Sequence, residues 1–275
     1  MSESIGWYKD QWMNIDNIFI PASDRGLKFG DGVFETILIK QNKPILIEEH
    51  LNRLEQSARL LNISYKINKS NILEIIKKGI IKLSLKNNQL GSVRINYSRG
   101  INQGRSIKIN KNFQTNSLSN LWIEFYQIEP NLSPISVYIS RTERRNELSL
   151  ISKCKTFAYN QAIQVLVEAN QKFFDDCLLL NTIGELCCGS TFNLLIKRND
   201  EWITPRKESG CLEGVMVNKA LDLGIVKEQL ILPNFKEDDV ILAINSLSCR
   251  QINKVNDMKF KSDFDQTYFW ELLYN

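Results

Sequence analysis

Apolar and polar residues alternate with two different periods along the chain, and these periods predict both strands and helices. The apolar, β-branched run from Val33 to Lys40 is typical of a strand. Between residues 48 and 61 the apolar positions recur at intervals of three and four, which is the spacing of an amphipathic helix. The same reasoning predicts further helices over 70–85, 156–170, 214–223 and 237–248, and further strands over 92–98, 121–127, 135–141, 177–181 and 193–197.

A proline-containing stretch near the middle of the chain indicates a domain boundary. Two of the six prolines lie between residues 128 and 135, and proline restricts both its own backbone and that of the preceding residue. Strands and helices are predicted on both sides of this stretch. We therefore expect an α+β fold with a smaller N-terminal domain (1–128), a linker (129–135) and a larger C-terminal domain (136–275).

Composition narrows the class of protein. A hydrophobic content of 43% and a charged content of 24% are typical of a soluble globular protein. The net charge of +4 is small and dispersed, so we expect no nucleic-acid partner. Neither a signal peptide nor a run of apolar residues long enough to span a bilayer stands out, which predicts a cytoplasmic protein without a membrane partner.

The cysteine and histidine content argues against several common kinds of site. The six cysteines fit no paired zinc spacing, and we expect them to be reduced and mostly buried. With His50 as the single histidine, a histidine-based metal site or a serine-hydrolase triad is not expected.

Lys155 is the lysine whose surroundings best suit chemistry, because it lies where polar, turn-rich sequence gives way to an apolar run. A lysine that forms a Schiff base needs a lowered pKa in a partly apolar site. If a helix has begun at this point, Tyr159 lies on the same helical face as Lys155, and Lys153 points elsewhere. On spacing alone, however, the pattern favours a solvated lysine at a helix start.

Three further positions could bind a phosphate. Gly214-Val-Met216 opens a predicted helix, and the backbone N–H groups of a first turn suit an anion. Arg53 could pair with a phosphate or could be an exposed arginine on a polar helix face. Asn245-Ser246 supplies polar groups at the start of a loop. Each pattern is common, and none identifies a phosphate site by itself.

Five ordered motifs nevertheless resemble those of the class IV, or fold type IV, pyridoxal-phosphate enzymes. This family includes branched-chain and D-amino-acid aminotransferases and aminodeoxychorismate lyase. The resemblance covers residues 24–255, nearly the whole chain. The motifs are Gly30-Asp-Gly-Val-Phe-Glu-Thr36, Glu49-His-Leu-Asn-Arg-Leu-Glu-Gln-Ser57, Ser152-Lys-Cys-Lys-Thr-Phe-Ala-Tyr159, Gly189-Ser-Thr-Phe-Asn193 and Gly214-Val-Met216.

The resemblance implies a two-domain fold like that of D-amino-acid aminotransferase, with pyridoxal 5'-phosphate between the domains, and a homodimer. It implies that Lys155 forms the Schiff base and moves the proton, that Arg53 binds the phosphate, and that Tyr159 approaches the phenolic oxygen of the cofactor. The other cofactor-binding positions it implies are Cys188, Gly189, Ser190, Asn193, Val215, Met216, Asn245 and Ser246.

One position departs from the family pattern. The glutamate that pairs with the pyridine nitrogen in the family falls on Cys188 here, whether one counts forward from Gly184 or back from Asn193. Glu185 lies three residues earlier and would need a local realignment to serve. A thiol holds a proton on that nitrogen less well than a carboxylate, so we expect weak transamination, whereas an elimination depends less on the ring as electron sink.

Three details resemble the lyase more than the aminotransferases: Ser98-Arg-Gly100 with Arg105 beyond it, Gly214-Val-Met216, and Asn245-Ser-Leu247. The expected activity is conversion of 4-amino-4-deoxychorismate to 4-aminobenzoate and pyruvate, a step of folate biosynthesis. The alternatives are a branched-chain or D-amino-acid aminotransferase and a non-catalytic family member. The candidate substrate contacts are Phe34 and either Arg99 or Arg105, between which the sequence does not choose.

Overall fold

The computed structural model describes residues 4–63, 67–86, 88–101, 104–109, 119–261 and 264–274. By its internal contacts the chain divides into two units, Met1–Glu129 with Cys154–Ala158, and Pro130–Lys153 with Tyr159–Asn275. Although Lys155 lies beyond the predicted linker, its segment thus packs with the first unit. Among the described residues, none of the helices is both long and apolar enough to cross a membrane.

Both predicted element types are present, and the α+β class is confirmed. The helices are α1 (Arg25–Phe29), α2 (Ile47–Leu60), α3 (Lys69–Leu83), α4 (Asn160–Gln171), α5 (Val215–Asp222) and α6 (Gln266–Leu272). The strands are β1 (Ser4–Tyr8), β2 (Gln11–Met13), β3 (Gly32–Lys40), β4 (Lys43–Pro44), β5 (Leu90–Ser98), β6 (Asn120–Ile128), β7 (Ile135–Ile139), β8 (Asp176–Leu180), β9 (Leu186–Gly189), β10 (Asn193–Arg198), β11 (Glu201–Pro205), β12 (Val226–Gln229), β13 (Val240–Ile244), β14 (Cys249–Val255) and β15 (Met258–Lys259).

The first unit is a six-stranded antiparallel sheet in the order β2-β1-β6-β5-β3-β4. Alternate residues of each strand point to opposite faces. On one face, Val33 and Ile37 of β3 join Leu51 and Leu54 of α2 in a core that α3 completes. Each fully buried aliphatic side chain of this kind contributes roughly 1.5–3 kcal/mol to folding. The opposite face of β5 and β6 carries polar side chains, among them Arg94.

The second unit is built on a nine-stranded sheet in the order β12-β11-β10-β13-β14-β7-β8-β9, with β15 added at β14. Because β9 also pairs with β10, through Cys188 and Asn193, six of its strands form a closed ring. Apolar side chains of these strands, such as Val137, Leu178 and Leu194, form a second core. This ring fixes the positions of β9 and of the loops that follow β10 and β13.

Two of the predicted helices differ from the structure. No helix forms over 237–248, where β13 and the turn to β14 are found instead, because the run Val240–Ile244 is apolar throughout and is buried as a strand in the sheet. The helix predicted over 156–170 begins only at Asn160. Helical spacing therefore does not relate Lys155 to Tyr159, and Lys153 ends a short 3-10 helix, Leu150–Lys153.

Candidate active site

Lys155 lies on an extended segment that runs beside the start of β3. The Phe34 backbone N–H donates to the Lys155 carbonyl oxygen at 2.9 Å, and the Phe157 N–H donates to the Gly32 oxygen at 3.0 Å. A Cβ atom at Gly32 would lie 2.3 Å from the Phe157 ring, so the close approach requires glycine at that position. The backbone of the first unit thus holds Lys155 rigidly against the sheet.

The side chain of Lys155 is half-buried, and its charge is disfavoured. Nζ lies 4.4 Å from the centroid of the Phe34 ring. Burial, followed by the nearby charges of Arg53 and Arg94, lowers the pKa of Lys155 from 10.5 to about 8, against the opposing effect of Glu35. A lysine with this pKa has a substantial neutral fraction near neutral pH, which suits a nucleophilic amine or a proton carrier.

A buried ion pair between β3 and α2 lies close to Lys155. Arg53 donates from Nε and Nη2 to the two carboxylate oxygens of Glu35, at 2.7 Å each, and His50 Nδ1 lies 2.7 Å from Glu35 Oε2. Burial raises the pKa of Glu35, but Arg53 and His50 outweigh it and hold the pKa at about 2. Burial lowers the pKa of His50, so its Nδ1–H donates as a neutral imidazole.

Arg94 is a site residue that the sequence did not single out. Its Cζ lies 3.8 Å from the centroid of the Phe34 ring, which also contacts Lys155 Nζ, and its Nε donates to Asn96 Oδ1 at 2.8 Å. The available signal was the alternation of polar residues along β5, which places Arg94 and Asn96 on the face opposite the core. Arg53 and Arg94 both lie close enough to Lys155 to lower its pKa, so three basic side chains of the first unit are grouped here. Such a group suits an anionic ligand.

Arg99, one of the two predicted substrate arginines, is instead part of the fold. It is 4% exposed and pairs with Asp31 through Nε (2.8 Å) and Nη2 (3.1 Å). It also donates to the carbonyl oxygens of Leu61 and Asn62. These bonds engage the guanidinium at Nε, Nη1 and Nη2, which disfavours Arg99 as the partner of a substrate carboxylate. Arg105 is exposed.

We expect the Arg99→Ala variant to lose stability. Removing one partner of a buried ion pair is expected to lower the free energy of unfolding by about 3 kcal/mol, the lower end for such pairs because Asp31 keeps its 2.7 Å bond to Arg25. Urea unfolding measures this change. Arg105→Ala, the matched control at an exposed arginine, should change the free energy by about 0.5 kcal/mol or less. Equal losses in the two variants would contradict the structural role.

In the second unit, β9 and the loop to β10 carry the motif from Cys188 to Asn193. Cys188 is buried, and a hydrogen bond with Cys187 lowers its pKa. The hydroxyl of Ser190 donates to Asp176 at 2.8 Å, and Asn193 donates from Nδ2 to the Leu212 oxygen at 2.8 Å. Gly189 ends β9 and is buried as well.

Glu185, the alternative acidic residue of this turn, is fully engaged elsewhere. It is 4% exposed, and it accepts bonds from Arg206 (2.6 Å), Ser209 (2.7 Å) and Asn181 (3.1 Å). Four residues of the second unit thus form a local network that fixes this carboxylate in the turn. A realignment that frees Glu185 would break three hydrogen bonds.

The predicted phosphate-binding backbone lies at the start of α5. Gly214 is the N-cap, so no side chain of the capping residue covers the first turn, which begins at Val215 and Met216. A Cβ atom at Gly214 would lie 2.0 Å from Asn193 Oδ1, so this approach again requires glycine. The first-turn N–H groups suit an anion.

The remaining predicted residues lie at two chain reversals of the second unit. Tyr159 is the half-buried N-cap residue of α4. Asn245 and Ser246 lie in the turn between β13 and β14, where Asn245 Oδ1 accepts from the N–H groups of Leu247 and Ser248 at 2.9 Å each. In the described part of the chain, no cluster of three or more His, Cys, Asp or Glu could hold a metal ion.

Comparison with known proteins identifies the family. A family model described as amino-transferase class IV matches residues 32–255. The chain is 26% identical over 220 residues to aminodeoxychorismate lyase of Bacillus subtilis (78% of this chain, 73% of the relative), and 23% identical over 264 residues to a probable branched-chain-amino-acid aminotransferase of Thermotoga maritima (92% and 88%). The PLP-bound form of a hypothetical aminotransferase from Mycobacterium tuberculosis has the same fold, with a TM-score of 0.83 at 19% identity over 98% and 97% of the chains. The family model spans most of the sequence and confirms the resemblance: the chain belongs to the class IV aminotransferase family.

Proposed function

We propose that the protein is a pyridoxal-phosphate-dependent lyase that converts 4-amino-4-deoxychorismate to 4-aminobenzoate and pyruvate. The pair of Cys188 and Glu185 supports this proposal: motif spacing puts Cys188, a buried thiol, at the position of the family glutamate, and the neighbouring carboxylate is held by three other partners. The family match favours an enzyme over a non-catalytic member.

Pyridoxal phosphate is the cofactor of this enzyme class, and the donor set of the chain fits it. A lysine with a pKa of about 8 suits attachment of an aldehyde, and the arginines beside it suit a phosphate and a carboxylate. When bound, the cofactor supplies an electron sink for the carbon that carries the amine. We assign the phosphate to Arg53 and to the backbone of Val215 and Met216. Tyr159, Gly189, Ser190, Asn193, Asn245 and Ser246 are the other proposed cofactor contacts.

In the proposed reaction Lys155 moves the proton. It takes the proton from the ring carbon that bears the substrate amine, and the electron pair of that C–H bond forms the new ring double bond. The C–O bond at the neighbouring carbon breaks, the enolate of pyruvate leaves and takes up a proton to become pyruvate, and the ring becomes aromatic. Aromatisation supplies much of the driving force, so a weak electron sink suffices. Transamination has no such compensation, and the loss of a charge-assisted hydrogen bond of about 1.5–3 kcal/mol slows it.

The proposed partner of a substrate carboxylate is Arg94. A guanidinium has five N–H donors, so it can bind a carboxylate while Nε stays bonded to Asn96. This guanidinium and Lys155 Nζ both lie beside the Phe34 ring, at 3.8 Å and 4.4 Å from its centroid. Arg99 is replaced in this role because its donors hold Asp31 and two backbone oxygens.

The pKa of Lys155 predicts how attachment of the cofactor depends on pH. Only the neutral amine attacks the aldehyde, so the rate at which the apoprotein binds pyridoxal phosphate covalently should rise as pH passes through about 8 and level off above it. Stopped-flow absorbance between pH 6 and 10 measures this rate. A rate that still rises steeply at pH 10, as for an ordinary lysine with a pKa of 10.5, would contradict the lowered pKa.

An aminotransferase is the second candidate, favoured by the likeness to the Thermotoga maritima relative. The fate of the cofactor distinguishes the two activities. We expect the holoprotein, mixed with D-alanine, L-glutamate or branched-chain amino acids, to convert its cofactor to the pyridoxamine form much more slowly than it turns over aminodeoxychorismate. Rapid conversion with any of these donors would overturn the lyase assignment. We further propose a cytoplasmic homodimer that acts in folate biosynthesis.

A further inference from the structure

A chain of polar side chains crosses the face of β5 and β6 opposite the core and ends at Arg94. Arg94 Nε donates to Asn96 Oδ1 at 2.8 Å, and Asn96 Nδ2 donates to Glu124 Oε1 at 2.9 Å. Glu124 also accepts from Trp122 Nε1 at 2.9 Å and from the Tyr126 hydroxyl at 2.5 Å. Glu124 is thus the acceptor on which three donors converge.

The strand register explains this convergence. Arg94 pairs with Glu124 across β5 and β6, and Asn96 pairs with Trp122, so these four side chains share one face of the sheet. Asn96 is 2% exposed, so neither end of its amide can turn to bulk water. Burial and the nearby Glu124 carboxylate raise the pKa of Tyr126, which keeps its hydroxyl a donor.

An asparagine amide has a donor end and an acceptor end, and its neighbours decide which way it points. Because Glu124 offers only acceptors to Asn96, Nδ2 must face Glu124 and Oδ1 must face Arg94. Without the carboxylate, the amide can rotate and present N–H donors to the guanidinium, which also carries only donors. Glu124 therefore keeps Asn96 Oδ1 turned toward Arg94, and this oxygen holds the Arg94 guanidinium in place.

We propose that Glu124 is a positioning residue that acts through Asn96 to hold the Arg94 guanidinium against Phe34, where it receives a carboxylate of the substrate. The inference rests on the proposed function in one respect, that the substrate carries a carboxylate. Arg94 Cζ and Lys155 Nζ contact the same Phe34 ring, so the orientation of Arg94 sets where a carboxylate lies relative to the reactive amine.

Ligand binding to the holoprotein tests the role of Glu124. Isothermal titration compares 4-aminobenzoate with aniline, which lacks the carboxylate. We expect wild type to bind 4-aminobenzoate at least about tenfold more tightly than aniline. Glu124→Gln should weaken 4-aminobenzoate binding about three- to tenfold and leave aniline within twofold. Arg94→Ala should abolish the discrimination, and the double variant should bind both probes as Arg94→Ala does.

Two further variants test whether the loss of 4-aminobenzoate binding comes from a general change in the structure. Glu129→Gln makes the same charge change at an exposed residue just after β6 and should bind both probes as wild type does. Asn96→Ala breaks the link to Arg94 while Trp122 and Tyr126 can still bond Glu124, and it should reproduce the loss if Glu124→Gln fails to fold. The proposal is overturned if wild type does not bind 4-aminobenzoate more tightly than aniline, or if Glu124→Gln and Asn96→Ala keep that preference. It is also overturned if Glu124→Gln weakens the binding of both probes equally, or if the effects of Glu124→Gln and Arg94→Ala on binding are additive.

The result is separable from the proposed function. If discrimination depends on Glu124 and Arg94 but aminodeoxychorismate yields no 4-aminobenzoate, the positioning role stands and the lyase assignment falls. If 4-aminobenzoate forms but the preference for 4-aminobenzoate over aniline does not depend on Glu124, the lyase assignment stands and the positioning role of Glu124 falls.

Discussion

We expect the Lys155→Ala variant to turn over about 10²- to 10⁴-fold more slowly than wild type, or slower still, and to hold no covalently bound cofactor. The reason is that Lys155 is the amine with the lowered pKa of about 8 and is also the proposed proton carrier, so one substitution removes both roles. Turnover is measured by product formation. Attachment is measured by near-visible absorbance and by borohydride reduction followed by peptide mass spectrometry, which should place the cofactor on Lys155 in wild type.

Lys153→Ala is the matched control, since Lys153 is exposed and ends the 3-10 helix two residues earlier. It should keep absorbance, reductive labelling and turnover within about twofold of wild type. Retention of reducible cofactor by Lys155→Ala, or its loss from Lys153→Ala, would show that another amine holds the cofactor.

The Cys188→Glu variant is expected to gain transamination. A carboxylate at this position can form the charge-assisted hydrogen bond that a thiol lacks, which is worth about 1.5–3 kcal/mol, or about 10- to 100-fold in rate. The readout is the rate at which bound cofactor converts to the pyridoxamine form after an amino donor is added, followed by absorbance in a single half-reaction.

Cys188→Gln is the control for this gain, because glutamine has the size of glutamate without its charge. It should transaminate no faster than wild type. A thermal melt of both variants checks that the second unit, in which Cys188 is buried in β9, remains folded. If glutamate and glutamine act alike, or if glutamate gives no gain in a folded protein, the thiol does not limit transamination.

Ordered motifs and strong periodicity made much of the fold predictable. The strand at β3 and the helices α2 and α3 follow from local patterns, and their observed ends differ by at most two residues from the predicted ones. Residues 237–248 were predicted wrongly as a helix because a short apolar run has no period that separates a buried strand from a buried helix. Only the sheet that surrounds β13 decides between them.

The site was predictable in its chain positions but not in its contacts. Lys155 followed from a motif, yet its lowered pKa depends first on burial and then on Arg53 and Arg94, which lie far away in sequence. Arg99 is the arginine of a recognisable Ser-Arg-Gly motif, whereas its pairing with Asp31 arises only when the loop before β3 meets the end of β5. Arg94 lies in no motif, and its role emerges from cross-strand pairing with Glu124.

Supplying 4-amino-4-deoxychorismate to the wild-type holoprotein tests the lyase assignment most directly. We expect equimolar 4-aminobenzoate and pyruvate, with repeated turnover and with the cofactor unchanged at the end, and no product above background from Lys155→Ala. Absence of both products from a folded, cofactor-loaded wild type, or product equal to that of Lys155→Ala, would contradict it.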